Sequence, residues 1–311
     1  MKVKILRSKK IKPIIPVIGL IIEIIIFSIT SKGKLLILGN IGFILNQAVF
    51  LIIAGLGVAL VVSQGGLDFS QGSLLGFSSA VAAILSNYNP YLSIPGAIIT
   101  GLVFGIFNGT LVTIFRIPSF IATICMLIML RGLTIFATNS GSIPISFSLF
   151  WLDSFWIRLV ILIIIIFMIS YLFIFTKIGR YNKAIGSNET VARFSGVPIE
   201  KMKILAFSIA GFLCGVCGFL NVIRTGVASA STGLLFETEV LTAVVLGGMP
   251  ITGGSGSRIY SPIIGGFILA ILNNGLIITG VNIGIQQGIK GGVFLLAVAL
   301  SFNRESIVLI K

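Results

Sequence analysis

Residues 176–203, TKIGRYNKAIGSNETVARFSGVPIEKMK, form the one long polar interval in a chain that is otherwise nearly all apolar. The interval holds six of the 22 basic residues (Lys177, Arg180, Lys183, Arg193, Lys201, Lys203) and two of the eight acids (Glu189, Glu200). A hydrophobic run precedes it at 155–175 and another follows at 204–222. A segment this polar cannot lie in hydrocarbon, and basic loops between membrane helices are retained in the cytoplasm. Within it, Asn188 is placed to cap a short helix that ends at Gly196, with Pro198 preventing continuation. Val191 and Phe194 lie three apart on that helix and make a small apolar face beside Arg193. On these residues alone two readings stand: a knob that docks on a soluble partner, or an amphipathic turn lying on the lipid surface.

Working outward, the composition gives the class. Of 311 residues 56% are hydrophobic and only 10% charged, against about 25% charged in soluble domains; the mean hydropathy is +1.15. Apolar runs of spanning length recur throughout, so the expected fold is all-α, a polytopic membrane bundle. Ten spans are expected, at 13–30, 44–63, 70–86, 95–115, 118–138, 155–175, 204–223, 239–256, 259–279 and 286–303, some short or broken by glycine. The basic arm 1–12 carries six Lys and Arg residues and the central loop six more. They outweigh Lys32, Lys34, Arg158 and Arg224 on the other side, which predicts both termini inside, with a tail at 304–311. Residues 13–303 then form one transmembrane domain carrying the cytoplasmic loop 176–203. No small-residue cleavage site follows the basic arm, so the first span reads as uncleaved. The net charge of +14 is the residue of this topology, not a sign of nucleic-acid binding.

There is no histidine, and the three cysteines (Cys125, Cys214, Cys217) lie in apolar runs. The Cys214-x-x-Cys217 spacing lacks the βαβ setting of a redox pair and reads as packing. Glycines spaced by four (Gly101, Gly105, Gly109; Gly211, Gly215; Gly284, Gly288, Gly292) mark helix faces that let backbones approach closely. Polar residues inside or beside spans are the candidates for a translocation path or gate: Asp68, Asn108, Arg131, Glu237, Glu239, Asn273 and Asn274. Asp68 or a neighbouring serine equally reads as a cap for the next helix. Arg131 either snorkels or lines the path, because a cation at a helix centre costs about 2.5–3.5 kcal/mol. Glu23 is given no role. The chain has no G-x-x-x-x-G-K-[ST] phosphate loop, so it does not hydrolyse nucleotide by itself. It also lacks the paired carboxylates or Ser/His set of an intramembrane enzyme and a row of acids for proton coupling.

Four stretches together resemble ribose-type ABC importer permeases: GGLDFSQGSLLGFSSAVAA (65–83), GIFNGTLVTIFRIPSFIATICMLIMLRGL (105–133), GRYNKAIGSNETVARFSGV (179–197) and FETEVLTAVVLGGMPITGG (236–254), followed by LNNGLIITG. In order and spacing they cover about 43–300. The resemblance implies a bacterial inner-membrane permease subunit that binds no cofactor itself and uses ATP hydrolysed on partner ATPases. Its other implied partners are an extracytoplasmic solute-binding protein and a second permease chain, identical or related. The ATPase-coupling residues it implies are Gly179, Arg180, Ala184, Gly186, Asn188, Glu189, Ala192, Phe194 and Gly196, and it favours docking over the lipid-surface reading. Phe236, Glu239 and Cys125 depart from the family's usual Tyr, Asp and Gly, and SRIYSPIIGG fits only with a one-residue shift. The implied solute is a simple sugar; a nucleoside, a branched-chain amino acid or a signalling furanone are the same-family alternatives. The rival of another class is a stand-alone channel or ion-coupled carrier, which would act without any ATPase.

Overall fold

A computed structural model describes residues 14–301; the expected arm 1–12 and tail 304–311 lie outside the described residues. Twelve helices are present among them. In chain order they are α1 (Ile15–Thr30), α2 (Leu38–Ser63), α3 (Gln71–Tyr88), α4 (Ser93–Thr113), α5 (Ser119–Ala137), α6 (Phe155–Phe175), α7 (Lys177–Ser187), α8 (Glu189–Phe194), α9 (Ile199–Thr225), α10 (Phe236–Leu246), α11 (Ser261–Ile278) and α12 (Ile283–Ser301). Six of them (α2, α4, α5, α6, α9 and α11) are long and apolar enough to cross a membrane, and α1 and α12 are shorter apolar helices. The chain is thus a helical membrane bundle.

α2 and α9 are its axis. A helix that is apolar all round has no face to offer water, and every α2 residue from Ala48 to Ser63 is buried. α9 packs against α2, α3 and, most extensively, α4. The glycine spacing explains the last contact. A Cβ on Gly105 would meet the Phe207 carbonyl at 2.5 Å, one on Gly109 the Ile204 Cα at 2.7 Å, and one on Gly211 the Gly105 Cα at 2.7 Å. Only backbone fits in this seam. By contrast Gly288 and Gly292 meet no atom within 4 Å, and Gly284 only Asn282. The expected small-residue face of α12 is turned away from this chain's own helices, because α12 rests chiefly on α10 through its other side.

One end of the bundle gathers residues 64–70, 114–118, 176–198 and 247–260: Gln64 reaches Asn182, and Ser187 reaches Ser255. The opposite end carries the only strand pair among the described residues, which apolar periodicity did not announce. There β1 (Ser142–Pro144) runs antiparallel to β2 (Val227–Ser229), with Ile143 opposite Ala228.

Two helices begin inside the bundle. The extended stretch 64–70 descends one turn along α5, where Ser119 Oγ and Thr123 Oγ1 accept the Leu67 and Phe69 N–H groups. α3 then starts at the level of Cys214, midway along α9, whose thiol donates to the Gln71 carbonyl at 3.0 Å. From the other end, residues 230–235 dip inward until Gly233 packs on Gly72, and α10 starts there. The expected span 239–256 is therefore not one helix. α10 has 11 residues, about 16 Å at 1.5 Å each, half a hydrocarbon layer of about 30 Å. Residues 247–260 are turns and irregular chain around one short 3-10 turn at Gly254–Gly256, with Gly248, Gly253 and Gly254 at positive φ, a conformation costly for other residues.

Candidate functional site

The polar interval folds as two helices, where a single short one was expected. α7 opens with Thr176, whose Oγ1 accepts the Ile178 N–H, and it is amphipathic. Its Ile185 joins Ala192, Val197, Ile199 and Met202 in a second small core, with Ile178, Tyr181 and Ala184 against it. Asn188 then caps α8, its Oδ1 accepting the Val191 N–H at 3.0 Å. Gly196 at φ +79° ends it in the left-handed geometry that glycine adopts freely. Ala192 is buried beneath, while Val191 is 59% and Phe194 88% exposed.

This unit is fastened to the bundle on three sides. Gly186 sits against the Ser63 carbonyl and the Gly254 nitrogen, closer than any Cβ could. Gln64 donates to Asn182 Oδ1 (2.8 Å) and to the Met202 carbonyl (2.9 Å). Lys203 pairs with Glu189 at 2.8 Å and Arg193 with Glu200 at 2.7 Å, tying α8 to the first turn of α9. Exposed ion pairs are individually weak, but here two bracket a six-residue helix whose inner face is already packed. Gly179 turns its α-carbon into the Phe173 carbonyl; Arg180 is exposed. Beside the unit opens a cleft of about 710 Å³ lined by Gln64, Arg116, Ser119, Glu189, Arg193 and Lys203 among others.

The in-membrane candidates separate into distinct groups. Asp68 is 1% exposed; its Oδ1 accepts from Ser70 N and Oγ (2.9 and 2.6 Å) and its Oδ2 from Gln71 Nε2 (2.6 Å). Asn108 donates to Ser70 Oγ at 2.9 Å. The side-chain cap expected at this break is not formed, since no described side chain accepts a backbone N–H from the first turn of α3. Asp68 instead ties Ser70 and Gln71 into a buried knot between α3 and α4. Arg131 donates to the carbonyls of Thr232 (2.7 Å), Gly233 (3.2 Å) and Ala230 (3.4 Å). It clasps the inward-dipping segment to α5. Glu237 is buried against Gly72, and its Oε2 has no hydrogen-bond partner among the described residues.

Glu239, Asn273 and Asn274 lie on the far side of α10. Glu239 Oε1 accepts from Lys290 Nζ (2.9 Å) and Asn273 Nδ2 (3.2 Å). Asn274 and Asn40 exchange two amide bonds of 2.9 Å, joining α11 to α2. Glu239 also borders a small cleft of about 140 Å³ with Gln47, Phe50, Asn221, Arg224 and Phe236. Of these, sequence reasoning singled out none but Glu239 as a site residue. The signal was there, since Gln47 and Asn221 are amides inside spanning runs, but only the fold brings them together. Cys214 and Cys217 are both buried and unlinked.

Comparison with known proteins agrees with this geometry. The model of the family described as branched-chain amino acid transport system / permease component matches residues 40–298. The chain is 34% identical to a ribose import permease protein of Escherichia coli (strain K12) over 304 residues, 93% of each chain. It is 35% identical to a ribose import permease protein of Bacillus subtilis (strain 168), covering 94% of this chain and 93% of that one. It is 30% identical to a D-allose transport system permease protein of Escherichia coli (strain K12), covering 90% and 89%. No solved structure matches the chain.

Proposed function

The chain belongs to the branched-chain amino acid transport system / permease component family, and from that premise we infer how its parts work in an importer. It is the multi-pass, cytoplasmic-membrane permease subunit of an ABC importer for a simple sugar, as relatives named for ribose and D-allose support. ATP is bound and hydrolysed on a separate ATPase subunit, and an extracytoplasmic binding protein delivers the solute. A second permease chain, identical or related, completes the assembly in the lipid bilayer. α1, α3 and α12 with the half-helix α10 bring the count to ten crossings or half-crossings, with both termini and residues 176–203 on the cytoplasmic side.

α8 is the contact for the ATPase, and Phe194 is the anchor. The observation that carries this is the contrast within one helix. Ala192 is packed and both ends are capped or clamped, while Phe194 projects with 88% of its surface free. A large apolar side chain held out rigidly among charges fits a pocket on a partner, and such anchors are worth about 2 kcal/mol or more. Displacement of α8 is passed to α9 through Glu200 and Lys203, and from α7 and α9 to α2 through Gln64, which bonds Asn182 and the Met202 carbonyl. Gly179, Arg180, Ala184, Gly186, Asn188, Glu189 and Gly196 build and orient the unit. The test is uptake of labelled D-ribose, D-allose and D-xylose by the chain assembled with its ATPase and binding protein. Phe194→Asp is expected to lower ATP-dependent uptake by about tenfold or more while membrane insertion stays intact. Wild-type uptake by that variant would falsify the docking role.

A further inference from the structure

The geometry points to a solute-binding subsite in the cleft of about 140 Å³ bounded by Gln47, Phe50, Asn221, Arg224, Phe236 and Glu239, with a neutral polyhydroxylated solute, a monosaccharide, as its ligand. The inference rests on the importer function and names where in this chain the sugar is held.

Four observations carry it. The first is hydrogen-bonding capacity left unused. Polar side chains within a membrane bundle find partners in the protein, and several here do, although single atoms such as Gln71 Oε1 and Asn273 Oδ1 stay unpaired. Asp68, Asn108, Asn40, Asn274 and Arg131 are each bonded, and Asn46, next to Gln47, accepts from Arg158 Nε at 3.0 Å. The side chains of half-buried Gln47 and Asn221, and of Arg224, exposed in the last turn of α9, make no hydrogen bond to any described residue, and all three border the same cleft.

The second is the pairing of aromatic and polar surface. The Arg224 guanidinium lies 5.6 Å from the Phe50 ring centroid, and Phe236 borders the same space. Aromatic faces receive the C–H side of a sugar ring, while amides and a guanidinium offer donors and acceptors to its hydroxyls. The third is charge. The one carboxylate on the cleft wall, Glu239, is already paired with Lys290, so none on that wall is free to hold an ammonium group. That disfavours a zwitterionic amino acid.

The fourth is position. Gly233 and Leu75, also on the cleft wall, belong to the place where the inward segment 230–235 meets α3, so the cleft runs from the start of both discontinuous helices outward to the last two turns of α9. Irregular backbone at membrane depth is tolerated where it lines a cavity, and transporter sites form there. The volume equals a handful of waters at about 30 Å³ each, room for one sugar ring and not for a peptide.

The experiment compares Gln47→Leu and Asn221→Leu with the wild type in proteoliposomes containing the full chain, its ATPase and its binding protein. Uptake is normalised to the amount of chain in the membrane. The probes are labelled D-ribose, D-allose and D-xylose, with L-leucine as competitor. D-xylose differs from D-ribose in the configuration of a single hydroxyl, so a hydrogen-bonding site separates them. Each leucine variant is expected to lower uptake at subsaturating sugar by about tenfold and to change the ratio of D-ribose to D-xylose uptake. Asn221→Gln is expected to restore part of both. Unchanged uptake, or a fall by one common factor for every sugar, would overturn the subsite while leaving the importer function standing. A wild type that carries none of the three sugars, or whose uptake L-leucine blocks, would remove the sugar reading and the subsite with it.

Discussion

Replacing Arg131 by methionine sets two effects of opposite sign against each other. Its two well-formed bonds, to the Thr232 carbonyl at 2.7 Å and the Gly233 carbonyl at 3.2 Å, are worth about 0.6–1.7 kcal/mol each in a membrane interior. The third, at 3.4 Å to Ala230, is long enough to add little. Losing the clasp therefore costs about 1–3 kcal/mol. Removing a cation from an apolar span is favourable by about 2.5–3.5 kcal/mol. The two nearly cancel, so Arg131→Met is expected to leave the thermal midpoint of the detergent-solubilised chain within about 2 °C of wild type. The local effect does not cancel. Residues 230–235 lose their tether to α5, and amide exchange there is expected to rise about tenfold, the equivalent of about 1.4 kcal/mol. Because this segment seats Glu237 and the start of α10, uptake is expected to fall with it. Unchanged exchange at 230–235 together with normal uptake would show that Arg131 merely snorkels. A midpoint lowered by about 10 °C or more, with protection lost throughout, would show instead that it holds the whole fold.

Gly105→Leu forces a side chain into a seam where even a Cβ meets the Phe207 carbonyl at 2.5 Å; a loss of about 1–3 kcal/mol or more is expected, read as a lower thermal midpoint. Gly288→Leu, with no atom within 4 Å of its Cβ position, is expected to leave the midpoint of the isolated chain alone, and equal effects at the two sites would refute the seam. Asn40→Leu strands the Asn274 amide, so the double variant Asn40→Leu/Asn274→Leu is expected to be more stable than the sum of the single losses by about 0.6 kcal/mol or more. Additive losses in that cycle would mean that the paired amides do not act on each other.

Where the chemistry is local, the sequence was readable. Asn188, Gly196 and Pro198 sit within eleven positions, and the cap, the left-handed stop and the exposed Val191 and Phe194 follow from them alone. The row Gly101, Gly105, Gly109 reads correctly as a face for close backbone approach, which the structure places on α9. The identical spacing at Gly284, Gly288 and Gly292 does not, because spacing reports that a face is smooth and not what lies across it. Residues 239–256 misled for a related reason. Hydropathy counts apolar residues whether they lie in a helix or in buried irregular chain, and Gly247-Gly248-Met249-Pro250 is not helical. The small cleft was hidden altogether. Gln47 and Asn221 are separated by most of the chain, and neither amide declares whether it meets a partner or open space until α2 and α9 are side by side.

α9 is 27 residues long, about 40 Å at 1.5 Å per residue. Its first turn carries Glu200 and Lys203, and its last two turns carry Asn221 and Arg224. Near its middle it is pressed backbone-to-backbone on α4. A stiff beam resting on a fulcrum turns a push at one tip into a countermovement at the other. Tilted by five degrees or so about its centre, a rod of this length swings each tip by about 2 Å. That is enough to make or break a hydrogen bond to a hydroxyl without any helix bending, so grip on the cargo and contact with the motor can be opposite ends of a single see-saw.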